Sequence, residues 1–144
     1  MAGRRVAGSG TLVLDSEGLS KIASGDARAR AYLESARRRG ARVVVAALTL
    51  TEVLRGGPRD APVHQALSRI TALPVSPDQA RAAGELLGRT GLSGHRCAID
   101  AVVAVTALQQ PRPVVLLTSD PRDLSRLVEE PECPKAERVV VVSI

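Results

Sequence analysis

The sequence of 144 residues has no Phe, no Trp and a single Tyr, Tyr32. One ring cannot line the stacking platforms that single-strand binding folds and RNA-recognition sheets present, so those classes are excluded. Any contact with nucleic acid has to run through phosphates. The core must be built from Val, Leu, Ile and Ala, which favours closely packed helices over a branched-residue sheet. Cysteine is scarce as well: Cys97 and Cys133 are too few and too far apart for a disulfide framework or a zinc ribbon. Both are expected as reduced, structural thiols. No apolar run approaches a membrane span. Arg4 and Arg5 begin like a signal peptide, but Gly8, Ser9 and Gly10 interrupt before any useful apolar stretch. A cytoplasmic protein without a membrane anchor is the expectation.

What is present points to one globular domain over 1–144, with 1–9 as a flexible N-terminus: 44% of residues are hydrophobic and 24% charged. The formal net charge is +5, and all but two of the 20 basic residues are Arg, the exceptions being Lys21 and Lys135. Such a surface attracts polyanions. An Arg-rich composition on an ordinary solvated surface gives the same charge, so charge alone does not choose between them.

Along the chain, Thr11 to Leu14 is a short apolar run of strand type that ends at Asp15, and Glu17 to Ala23 reads as a helix. Asp26 is placed to cap a helix running to about Arg39, with Leu33 inside and Gly40 as its stop. Val43 to Ala46 is a second buried strand. Thr49 or Thr51 can cap a helix carrying Glu52, which breaks at Gly56, Gly57 and Pro58. Pro62 to about Ile70 follows as a helix and Leu73 to Val75 as a strand. Ser76, Pro77 and Gln79 then open a helix reaching Leu87 or Arg89. Beyond a loop from Thr90 to Arg96, the run Ala98 to Leu108 is apolar on nearly every side except at Asp100. Val114 to Leu117 is a strand closed by Thr118, Ser119 and Asp120, Pro121 to Val128 a helix, and Val139 to Val142 the last strand. Strands alternating with helices predict an α/β fold with a parallel sheet between helices.

Four acids stand out against this frame: Asp15 and Asp120 at strand ends, Glu52 in the first turns of a helix, and Asp100 inside an apolar helix. Ligands of parallel α/β sheets bind beyond the carboxyl ends of the strands, where Asp15 and Asp120 lie. Each acid also has a plainer role available. Asp15 and Asp120 can cap the helices that follow them, and Glu52 can be a surface or capping-box residue. Asp100 has no capping role in mid-helix. Carboxylates brought within a few ångströms repel one another unless protons or a cation neutralise them. An all-oxygen set favours Mg²⁺ or Mn²⁺, and such a pocket is a phosphoryl-transfer site by default.

At these residues the chain resembles the PIN-domain nucleases, in particular the toxins of bacterial type II toxin–antitoxin pairs commonly called VapC proteins. Val-Leu-Asp-Ser-Glu-Gly-Leu at 13 to 19 is similar to the family's first acidic motif and Leu-Thr-Glu-Val-Leu-Arg-Gly at 50 to 56 to its second. Ile-Asp-Ala-Val-Val-Ala-Val-Thr-Ala at 99 to 107 resembles the third, and Leu-Thr-Ser-Asp-Pro-Arg-Asp-Leu at 117 to 124 the fourth. The resemblance covers almost the whole length. It implies a three-layer α/β sandwich with a central, mainly parallel sheet of about four to five strands. It also implies a Mg²⁺- or Mn²⁺-dependent ribonuclease whose metal-binding acids are Asp15, Glu52, Asp100 and Asp120. Thr118 matches the hydroxyl residue that supports the site, and Asp123 is either a fifth acid or an exposed helix residue. The implied partners are an RNA substrate, a cognate antitoxin that fills the active-site groove, and a second copy of the chain in a homodimer. Arg55, Arg59, Arg96 and Arg122 are candidates for contacts to the RNA backbone, with solvated surface arginines as the alternative.

One segment departs from the family: where some relatives place another acid, His95, Arg96 and Cys97 stand. His95 can meet a phosphate or be a bystander, and His64 has no partner at a suggestive spacing. A zinc site from His95 and Cys97 lacks two further ligands. Gly8-Ser9-Gly10 precedes the first strand when a dinucleotide fingerprint would follow it. A haloacid dehalogenase phosphatase needs an Asp where Glu17 stands, and a receiver domain needs a lysine better placed than Lys135. The rival from another class is a catalytically inactive or housekeeping PIN domain that binds RNA or serves as a scaffold.

Overall fold

The computed structural model describes residues 9–144. Arg4, Arg5 and nearly all of the expected N-terminal segment 1–9 lie outside the described residues. Five strands form one sheet in the order β3-β2-β1-β4-β5: β1 (Thr11–Leu14), β2 (Arg42–Ala46), β3 (Thr71–Leu73), β4 (Val114–Thr118) and β5 (Val140–Ser143). Every pairing is parallel, with Leu14 opposite both Val45 and Leu117. Seven α-helices connect and cover it: α1 (Ser16–Ser24), α2 (Ala27–Arg38), α3 (Leu50–Val53), α4 (Ala61–Leu67), α5 (Pro77–Thr90), α6 (Gly94–Leu108) and α7 (Pro121–Leu127).

Alternation along the strands divides the core into two layers. Val13, Val44 and Leu116 face α5, α6 and α7, whereas Leu12, Leu14, Val43, Val45 and Leu117 face α1, α2 and α4. The sheet is thus covered on both sides, and its strands read as continuous Val and Leu runs. The composition had favoured helices over a branched-residue sheet. The sheet is nevertheless rich in Val, because a strand buried on both faces needs compact apolar side chains more than rings.

Element boundaries shift where local chemistry overrides the apolar pattern. α6 begins at Gly94 and not at Ala98, because the Ser93 hydroxyl accepts the Arg96 N–H at 3.4 Å and caps it. The expected loop from Thr90 to Arg96 therefore shrinks to three residues, Gly91 at φ 71 ending α5 in the left-handed region. Strand β3 lies two residues earlier than expected. α4 ends at Leu67, and β5 starts one residue late. Thr49 precedes α3 without a capping hydrogen bond, and the Thr51 hydroxyl donates to Leu48 O at 2.7 Å, so neither threonine caps that helix.

Candidate active site

β1 is the switch strand: the chain leaves it through β2 to β3 on one side and returns as β4 and β5 on the other. A crevice opens beyond the carboxyl ends of such strands. Asp15 immediately follows β1, Asp120 lies two residues after β4, and β2 leads through a 3-10 turn at Ala47–Thr49 into α3, which carries Glu52.

Asp15 is 5% exposed and caps α1, its Oδ1 accepting the Gly18 N–H at 2.8 Å. Burial pushes its carboxyl above the ordinary value; hydrogen bonds from Thr118 and Gly18 work against that, and the charges of Glu17 and Glu52 add to it. Thr118, at the end of β4, is also buried, and its hydroxyl accepts the Asp120 N–H at 3.1 Å. The same hydroxyl donates back to Asp120 O at 3.3 Å, so it holds the backbone of Asp120 while lying beside the Asp15 carboxyl. Asp120 is exposed and caps α7 through a long contact to the Arg122 N–H, at 3.5 Å.

Asp100 is half-buried on α6. Its carboxyl is pushed up to about 6, first by burial and then by the charges of Asp15, Glu52, Asp123 and Asp120. Four acids from three other segments of the chain thus act on this one. Glu52 is exposed at the rim. Asp123 is half-buried, and its Oδ2 accepts the Cys97 thiol at 3.7 Å. Burial foremost, then Asp123 and Asp100, push the Cys97 thiol up and keep it a donor. Cys97, singled out as a departure, is therefore part of the acidic neighbourhood. Both cysteines are free thiols.

The acids are less tightly gathered than their sequence pattern suggests. Among the described residues no three His, Cys, Asp or Glu side chains stand close enough to form a metal-ligand group. The donor chemistry nevertheless fits a hard divalent cation: every group is a carboxylate, and their mutual repulsion at Asp100 calls for positive charge. Mg²⁺ keeps several waters and takes only one or two carboxylates directly, so a loose acidic ring suits it.

The four arginines proposed for RNA are all exposed. Arg59, Arg96 and Arg122 form no ion pair among the described residues. Arg55 is engaged locally, its guanidinium donating to Thr51 O, Leu54 O and Glu52 O. Thr49 was missed as anything but a cap: it is fully buried three residues before Glu52, and its hydroxyl has no hydrogen-bond partner. A cavity of about 590 Å³ between α1, α2 and α4 is lined by none of these four acids.

These features define a parallel three-layer α/β domain with acidic residues placed around the mouth of its switch strand. The family model of the PIN domain matches residues 12–130, which span all of these acids, and the chain belongs to that family. Its fold is similar to a solved structure described as VapBC2 from Rickettsia felis bound to a DNA fragment from their promoter. The TM-score is 0.67 and the sequence identity 16%, covering 93% of this chain and 98% of that one. No curated protein matches the sequence significantly. Among the described residues, no helix is long and apolar enough to cross a membrane.

Proposed function

We propose that the chain is a divalent-metal-dependent endoribonuclease, the toxin of a toxin–antitoxin pair, working as a single cytoplasmic domain. The observation that carries the reading is Asp100, an acid within an apolar helix whose carboxyl is raised to about 6 by burial and by four other carboxylates. Asp15, Glu52, Asp100 and Asp120 would hold Mg²⁺ or Mn²⁺, which when bound supplies Lewis acidity and charge neutralisation for phosphodiester hydrolysis.

The chain's own groups prepare the place. The Gly18 N–H fixes the Asp15 carboxylate, and the Thr118 hydroxyl beside it fixes the backbone of Asp120. The Cys97 thiol donates to Asp123 and keeps that acid turned toward α6. Exposed Arg59, Arg96 and Arg122 supply charge for the RNA backbone, the contact left to a chain with too few rings for base stacking. Hydrolysis leaves a 5′ phosphate and a 3′ hydroxyl. The Rickettsia felis neighbour is described as a VapBC2 complex, which supports an antitoxin partner here. A homodimer accompanies this reading.

A second reading is a catalytically inactive or housekeeping PIN domain that binds RNA or acts as a scaffold. It is favoured by the lack, among the described residues, of a ready three-residue ligand group. Incubating the purified chain with a panel of structured RNAs, in Mn²⁺ or in EDTA, separates the two. Cleavage in Mn²⁺ alone, abolished in Asp100→Asn, is expected of the nuclease. RNA binding without cleavage at any metal concentration would establish the second reading instead.

A further inference from the structure

We infer that Asp60 is a positioning residue for Glu52: its buried carboxylate ties down the end of the short segment on which Glu52 rides. The inference rests on the reading of Glu52 as a metal-binding acid. α3 spans only Leu50–Val53. An isolated helix needs roughly 12–15 residues to be stable in water, so α3 cannot hold its own geometry. Glu52 sits one residue from its C-terminal end. The position of that carboxylate is therefore set by whatever grips the chain just beyond it.

Two devices grip it. On the carbonyl side, Arg55 Nη1 donates to Thr51 O at 3.0 Å and to Leu54 O at 2.8 Å, while Nη2 donates to Glu52 O at 3.1 Å. On the amide side, Asp60 Oδ2 accepts the Arg55 N–H at 2.9 Å and the Gly56 N–H at 2.7 Å. Two successive N–H groups converge on one oxygen because Gly56 turns the chain at φ 88, in the region that glycine tolerates. Arg55 is thereby pinned through its backbone while its side chain clamps α3.

Asp60 is itself well held. It closes a 3-10 turn, Pro58–Asp60, with its N–H donating to Gly57 O at 3.0 Å, and it is 6% exposed. The two backbone donors hold its carboxyl below the usual carboxylate range, so it stays charged and keeps accepting. Its immediate partners are Arg55 and Gly56, and through them the backbone of Glu52, one of the two exposed acids of the set. Groups that orient a metal ligand in this way are worth about 10–100-fold in metal affinity when removed.

The test is calorimetric titration of the full chain with Mn²⁺, alongside thermal unfolding, for the wild type, Glu52→Gln, Asp60→Asn, Asp60→Ala and the double variant Glu52→Gln/Asp60→Ala. Asp60→Asn keeps one acceptor oxygen and carries the test if the alanine variant does not fold. Affinity for Mn²⁺ is expected to fall about tenfold in Asp60→Ala and less in Asp60→Asn. Removing Asp60 should cost no further affinity when Glu52 is already Gln, since one acts through the other. Wild-type affinity in the folded Asp60 variants, or losses that simply add in the double variant, would overturn the inference while leaving Glu52 as a ligand. Wild-type affinity in Glu52→Gln would overturn the metal reading of Glu52 and this inference together.

Discussion

The Gly18 N–H donates to Asp15 Oδ1 at 2.8 Å, so the acid at the mouth of the switch strand also starts the first helix. The two roles separate by substitution. Asp15→Asn keeps an oxygen for the cap and removes the charge, so folding stability should stay near that of the wild type while Mn²⁺ affinity falls at least tenfold, on the order of a lost ligand or its support. Asp15→Ala loses both and should cost about 1 kcal/mol more. Thermal unfolding with Mn²⁺ titration checks this, and an Asn variant as unstable as the Ala variant would contradict it.

Gly18 matters for a second reason. A Cβ added there would stand 2.8 Å from Leu117 O, a backbone atom of β4. Neither side can yield without moving α1 off the sheet or bending the strand that carries Thr118. Gly18→Ala is expected to cost about 1–3 kcal/mol by overpacking. It should also weaken Mn²⁺ binding, because the N–H that holds Asp15 moves with the helix. Unchanged Mn²⁺ affinity in a folded Gly18→Ala protein would show that α1 and the site are independent.

The pH dependence follows from Asp100. Its carboxyl lies at about 6 in the folded chain against an ordinary 3.8, so between those values the folded state keeps a proton that the unfolded state has released. The group's contribution is then fully present below the unfolded value and lost as pH rises through the folded one. Asp15 shifts in the same direction. Metal-free protein should therefore lose stability from this pair as the pH rises toward neutrality. Asp100→Asn should be more stable at pH 7 by about 1 kcal/mol after solvent screening, roughly 2–4 °C in Tm. Saturating Mn²⁺ should stabilise the wild type more at pH 7 than at pH 5. An Asp100→Asn protein that melts no higher than the wild type at pH 7 would remove the claimed repulsion.

The central architecture was legible because β1, β2 and β4 are buried on both faces and announce themselves as Val and Leu runs. The edge strands were legible too, but not their bounds: Thr71 and Ala72 of β3 and Val140 of β5 are exposed, so no burial pattern marks where pairing begins. The start of α6 was hidden because Gly94, His95 and Arg96 resemble a loop, and only the Ser93 cap turns them into a helical turn. The acids were legible one by one from strand ends and from an acid in an apolar helix. How loosely they gather was not. That depends on the outward placement of Glu52, set by a 3-10 turn, a four-residue helix and a loop closed by Asp60. An Asp after Gly-Gly-Pro-Arg reads as an ordinary turn residue, and nothing local says that its carboxylate reaches back to the amides of Arg55 and Gly56.

Stability and site should also come apart at the opposite end of the sheet, where β4 and β5 begin. Arg112 pairs with Glu130 through both nitrogens, at 2.7 and 3.1 Å, and also donates to Leu108 O and Glu137 O. It thereby joins the end of α6 to the segment that leads into β5. The pair is about one-quarter exposed, at 29% and 27%, so its bidentate geometry is only partly screened. Arg112→Ala leaves two carbonyls and a carboxylate without their donor, which should cost about 1–3 kcal/mol in thermal or urea unfolding. None of the acids touches this cluster. Mn²⁺ affinity and the rate of RNA cleavage, measured well below the variant's Tm, should therefore match the wild type. A loss of affinity comparable to that of Asp15→Asn would mean that the end of α6 is coupled to Asp100 through the helix, and that the site is less local than its hydrogen bonds indicate.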